Sequence, residues 1–235
     1  QESLPLLREK FLLDLLRGPM DPQVLEAQAE RFGLAVREGA YKVAAVCDIV
    51  HGGEGRPALS DELVPVSVRQ MLSDALRDRC GSEIVLGVPS ILVATAWERD
   101  PVESLMRLLG EVCTECKRIL GVTLAVGIGR PCQSLAELCR SCAEARTALE
   151  YRAVVGLGKP IYIQDMERLD RTTPEWDGHR EQQLLSVIKF GTREQIAAMV
   201  DKLLSDGEGE WSDQSRVLGI LGTLLSILRR CRLGE

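Results

Sequence analysis

The chain has 235 residues, 45% apolar and 27% charged, enough for one well-cored domain or a domain plus extensions. A net charge of −6 and an isoelectric point near 5.2 make it a poor nucleic-acid binder by itself, because that affinity comes largely from neutralising phosphates. Aromatics at 4% argue against a base-stacking surface, and no apolar run reaches the about 20 residues of a membrane span.

No secretory signal is visible, so the eight cysteines are expected as reduced thiols in the cytoplasm. The chain opens at Gln1, without a methionine, and is expected to be a piece of something longer.

Leu4 to Leu16 reads as an amphipathic helix with Leu4, Leu7, Phe11 and Leu15 on one face, ended by Gly18-Pro19. It serves either as a connector that dimerises and carries signal or as a cap on the domain. Asp21-Pro22 starts a second helix, whose partly apolar face is Val24, Ala27, Ala29 and Phe32, and Gly33 ends it. Tyr41 to Val50 is apolar on both faces, as a central covered strand must be. His51 to Pro57 is a Gly-rich loop without the spacing of a phosphate-binding loop. Ser67 with Gln70 reads as a capping box before a helix to about Arg79.

Two β-branched runs within Glu83 to Trp97 flank Gly87-Val88-Pro89-Ser90, a hairpin pattern. Asp100-Pro101 opens a helix through Leu120, with Leu105, Leu108, Leu109, Val112, Cys116 and Ile119 as its buried stripe. Val122, Leu124, Val126 and Ile128 alternate as a strand, broken by Gly127, Gly129 and Pro131. Ser134 and Glu137 form a capping box for a helix that buries Leu135, Leu138, Cys142, Ala145 and Leu149. Gly156 and Gly158 end it, and Ile161 and Ile163 start a last short strand.

After Met166 the pattern is helical only. Leu184, Leu185 and Ile188 mark one helix. Thr192 caps the next, which buries Ile196, Met199, Val200 and Leu203. Val217 to Leu228 is apolar nearly all round and must be buried in this chain or against a partner. The order β-α-β-β-α-β with an added helix and strand predicts an α+β fold with a ferredoxin-like antiparallel sheet. Three segments follow: N-terminal connector helices over 1–39, the sheet domain over 40–168, and a helical segment over 169–235.

The ordered series Gly127-Ile128-Gly129, Leu135, Leu138, Ser141, Glu144-Ala145, Ala148-Leu149, Tyr151-Arg152, Gly156 and Ile161-Tyr162 resembles the degenerate GGDEF-like domain of bacterial AraC-type transcription regulators. It is especially similar to the middle region of YesN-like two-component response regulators. The resemblance implies a GGDEF-like sheet domain, an upstream receiver or sensor domain, and a downstream helix-turn-helix domain that lies outside this chain.

A working GGDEF enzyme joins two GTP molecules into cyclic di-GMP on Mg²⁺ held by carboxylates. By the resemblance, its signature hairpin falls at Cys80-Gly81-Ser82-Glu83-Ile84, with Ser82 in place of the metal-binding acid. Asp48 matches a first-strand metal acid. One carboxylate and a serine hold Mg²⁺ weakly, so no cyclase activity is expected. The degenerate cleft near Asp48, Gly81, Ser82 and Glu83 remains available to a sensed nucleotide or metabolite.

Cys113-x-x-Cys116 and Cys139-x-x-Cys142, with 22 residues between the pairs, have the look of a Cys₄ zinc site. Both pairs fall inside predicted helices, where cysteine serves as a small core residue instead. Neither a metal nor a cofactor is expected. The sequence reading is therefore a non-catalytic regulatory domain that dimerises and transmits signal, or alternatively a small-molecule sensor. The transmission candidates are Leu7, Phe11 and Leu15 at one end and Leu221, Leu224 and Leu228 at the other. The expected partners are a second copy and the neighbouring domains of the full-length chain, with neither nucleic acid nor membrane touched by this segment.

Overall fold

The computed structural model describes residues 4–50, 62–172, 183, 186–187 and 190–205. The chain divides into two units, residues 1–164 and 165–235.

The first unit is built on a five-stranded sheet in the order β2-β3-β1-β4-β5. Its strands are β1 (Tyr41–Val50), β2 (Gly81–Leu86), β3 (Ile91–Trp97), β4 (Thr123–Ile128) and β5 (Pro160–Tyr162). β1 is central, which is why both of its faces are apolar: Val43 to Cys47 are buried without a break. The first four strands pair antiparallel, in the ferredoxin-like arrangement. β5 joins β4 in parallel, so the sheet is mixed rather than antiparallel. The helix between those strands forces this, because a helical crossover returns the chain in the same direction.

Helices cover both faces. α1 (Leu4–Arg17), α2 (Pro22–Arg31) and α5 (Leu138–Glu150) lie on one side. There Phe11, Leu12, Leu15, Leu16, Leu25, Ala29, Leu138, Cys142, Ala145 and Leu149 close over Ala44, Val46, Leu92, Ala94 and Ala125. α3 (Val64–Leu76) and α4 (Val102–Glu115) pack together on the other side, against β2, β4 and β5. Each fully buried leucine there, such as Leu72 or Leu109, contributes about 1.5–3 kcal/mol by leaving water.

Several helix ends follow the sequence closely. The Asp21 carboxylate accepts from the amides of Gln23 and Val24 and starts α2. Ser134 and Glu137 form the reciprocal capping box, on a 3₁₀ turn (Leu135–Glu137) that leads into α5. Other expectations shift. α1 buries Phe11, Leu12, Leu15 and Leu16, while Leu4 is 61% exposed. The stripe that packs therefore lies one position round from the expected one at the N-terminal turn. On α2 the inward residues are Leu25 and Ala29, and Val24 faces solvent.

Ser67 is not an N-cap. α3 begins three residues earlier, with Pro65 preset in its first turn and the Ser67 amide already bonded to the Leu63 carbonyl. α4 continues as a π turn over Cys116–Leu120. That wider turn carries Leu120 inward and leaves Ile119 half exposed. Ile163 opens α7 (Ile163–Thr172) rather than extending β5. A single short helix, α6 (Arg152–Val155), joins α5 to the glycine turn before β5.

In the second unit, α8 spans Arg193–Ser205. The Thr192 hydroxyl accepts from the Gln195 amide, and the Gln195 side chain accepts from the Thr192 amide. This is the cap expected there. Ile196 and Met199 are half-buried. Leu184, Leu185, Ile188 and the apolar stretch Val217 to Leu228 lie outside the described residues, as does the loop from His51 to Pro57. No helix of the described residues is long and apolar enough to cross a membrane.

Candidate functional site

Asp48 is the one acid on β1, a strand whose other charged residue is Lys42, and it stands one residue beyond the last β1–β3 pair, Cys47 with Ile91. That position brings it beside the β2–β3 turn. The Ser90 hydroxyl donates to one carboxylate oxygen at 2.6 Å. The other oxygen accepts from the Arg152 guanidinium at 2.7 Å, across 104 positions of sequence. Arg152 begins α6, immediately after α5. Three separate elements thus converge on one carboxylate, and both of its oxygens are engaged. The pair is partly open to solvent, with Asp48 24% and Arg152 45% exposed, so it fixes geometry more than it adds stability.

Gly81, Ser82 and Glu83 are elsewhere. They open β2 rather than forming a hairpin turn, and the turn itself falls at Gly87 to Ser90. Glu83 is level with Ala94 and Ala44 across the sheet, four residues along β1 from Asp48. With about 3.3 Å per residue and 4.8 Å per strand, the two acids stand roughly 16 Å apart. Ser82 points to the opposite face from Glu83. The expected cleft of Asp48, Gly81, Ser82 and Glu83 is therefore not one site, because the strand register separates its members.

Glu83 has its own partners. It is 4% exposed, accepts from the Arg8 guanidinium at 2.6 and 2.8 Å, and accepts from the Ala35 amide at 2.9 Å. It ties α1 and the 3₁₀ turn Ala35–Arg37 to β2. Gly81 is required by the same closure, since a Cβ there would run into the Ala35 carbonyl oxygen.

The residues that carry the family resemblance also do mechanical work. A Cβ at Gly127 or Gly129 would collide with the carbonyls of Ala145 and Ser141, so the two glycines let α5 lie directly on β4. The buried Ser141 hydroxyl accepts from the Ala44 amide at 3.0 Å, and the Ala44 carbonyl accepts from the Gly129 amide. The Glu144 carboxylate accepts from both the backbone and the side chain of Arg130 at 2.9 Å. The motif is a clamp that fastens α5 to the sheet.

The cysteine pairs do not meet. Cys113 and Cys116 lie on the face of Cys47, close enough to raise its thiol pKa beyond what burial does. Cys142 lies in the opposite cluster with Ala44 and Val46, and Cys139 donates to the Ala136 carbonyl. The sheet stands between the pairs. Among the described residues, no group of three or more His, Cys, Asp or Glu is placed to hold a metal ion. Burial pushes Cys113 up to about 12 and Cys116 up to about 11. Cys80 and Cys132 rise to about 12 for the same reason. These thiols stay protonated and inert at neutral pH.

Of the transmission candidates, Phe11 and Leu15 are buried in the domain's own core and Leu7 is half-buried. Leu221, Leu224 and Leu228 lie outside the described residues. The sequence reading missed Ser90, Arg152 and Arg8 as partners of the two acids. A lone acid on a central strand signals a partner, but nothing local names a residue 104 positions away. A cavity of about 560 Å³ adjoins Cys80 and Gly81, lined also by Arg37, Arg79 and Trp97. It lies at the end of the sheet away from Asp48.

A family model described as a GGDEF-like domain matches residues 17–151, more than half of the chain. No curated protein matches it.

Proposed function

The chain belongs to the GGDEF-like domain family, and from that premise we propose that it is a non-catalytic regulatory domain of a bacterial AraC-family transcriptional regulator of the two-component type. In this reading it works in the cytoplasm as a homodimer. It relays a signal from an upstream receiver or sensor domain to a downstream DNA-binding domain of the same full-length chain.

The observation that carries the reading is the occupied Asp48 carboxylate. Ser90 and Arg152 engage both oxygens with which Asp48 would hold a magnesium ion, and the Arg152 cation beside them opposes a second cation. The second acid of the signature, Glu83, is spent on Arg8 and Ala35. Those two ion pairs also suggest the route. Arg8 fastens the incoming helix α1 to the sheet, and Arg152 fastens the segment that leads through β5 into α7. A displacement of α1 is then passed on by a stiff sheet rather than absorbed, and it resets the spacing of two DNA-binding heads.

Native mass spectrometry tests this. The expected species is near twice 25.9 kDa, without added mass. A bare monomer at every concentration contradicts the dimer. A second reading, a small-molecule or nucleotide sensor, is favoured by the cavity beside Gly81 and Trp97, whose volume is in the range of ligand pockets. A retained small molecule in the same spectrum would select it.

A further inference from the structure

β2 is an outermost strand of the sheet. Among the described residues, no other segment bonds by its backbone to the side of β2 that faces away from β3. Its six residues, Gly81–Leu86, carry no proline or lysine to discourage pairing. The 3₁₀ turn at Ala35 covers only the start of the strand, where Gly81 and Glu83 meet it. Beyond Glu83, a groove of about 410 Å³ runs along the strand, lined by Leu4, Arg8, Phe32, Arg69, Ile84 and Val85. Leu4 at its rim and Val66, one turn before Arg69 on α3, are 61% and 53% exposed.

The charge of the groove is opposite to that of the chain. The whole chain is −6, yet Arg8, Arg31 and Arg69 outnumber Glu9 and Glu83 here. Arg8 is taken by Glu83, and Arg31 lies 5.6 Å from the Phe32 ring centre. Arg69 makes no hydrogen bond or ion pair among the described residues. Two copies joined edge to edge about a twofold axis would bring two grooves of like positive excess together, which disfavours self-pairing.

We propose that this edge takes an extended acidic peptide segment of another protein as an added strand. Its backbone would bond to β2, its alternate apolar side chains would enter the groove beside Leu4 and Ile84, and a carboxylate would meet Arg69. The groove shares Arg8 with the relay proposed above, but peptide capture is read separately from dimerisation, by anisotropy rather than by mass.

The test is fluorescence anisotropy of the 235-residue chain with a labelled peptide of about seven residues that alternates glutamate and valine. The controls are a lysine–valine counterpart and a glutamate–valine peptide N-methylated at alternate amides. The glutamate peptide binds saturably, more weakly as salt is raised, and about tenfold more weakly to Arg69→Glu at unchanged melting temperature. Absence of saturation, equal binding of the lysine peptide, or undiminished binding of the N-methylated peptide overturns it. A dimer that excludes the peptide and dissociates on Ile84→Lys overturns it in favour of a second copy.

Discussion

Single side chains decide which parts of this molecule are chemistry and which are joinery. Ser141 is 1% exposed, and its hydroxyl is the acceptor for the Ala44 amide. Ser141→Ala leaves that amide buried and unpaired, at a cost of about 1–3 kcal/mol, read as a lower denaturant midpoint at unchanged slope. The buried thiols make a second residue-level prediction. Cys113 and Cys116 are raised by burial to about 12 and about 11, above the thiol value in an unfolded chain. Their contribution is whole below about pH 8.5 and is lost as pH rises toward the folded values, because the unfolded chain then holds fewer protons. Stability should fall above pH 9, and Cys116→Ala should make that fall shallower in pH-dependent melting.

At the scale of elements, α1 allows its packing in the core to be separated from its proposed role in association. Leu15 is 1% exposed and Leu7 half-buried. Leu15→Ala should cost about 2–5 kcal/mol through the core alone. Leu7→Asp should lower the melt by less than Leu15→Ala does, since Leu7 is only half-buried, while weakening association in analytical ultracentrifugation. Equal melting losses for both would deny α1 its role outside the core. The helices and strands themselves were legible. β1 is bounded as its two-faced apolar pattern predicts, and the capping box at Ser134 and Glu137 is formed. The misses came from effects that local pattern does not carry. A π turn moved Leu120 inward in place of Ile119, and Pro65 started α3 ahead of Ser67.

For the whole molecule, topology was readable because each strand and helix has a distinct period, and the crossover through α5 explains the parallel fifth strand. The site was less readable. Asp48 and Glu83 stand on the same face of the sheet, but their register and partners come from pairings 42 to 104 residues apart. What results is a GGDEF-like domain in which the two acids are bound to arginines. The measurement that bears most directly on this is incubation of the purified chain with radiolabelled GTP and Mg²⁺, followed by separation of the nucleotides. The account predicts that GTP is recovered unchanged. Formation of cyclic di-GMP, lost in Asp48→Ala, would contradict it.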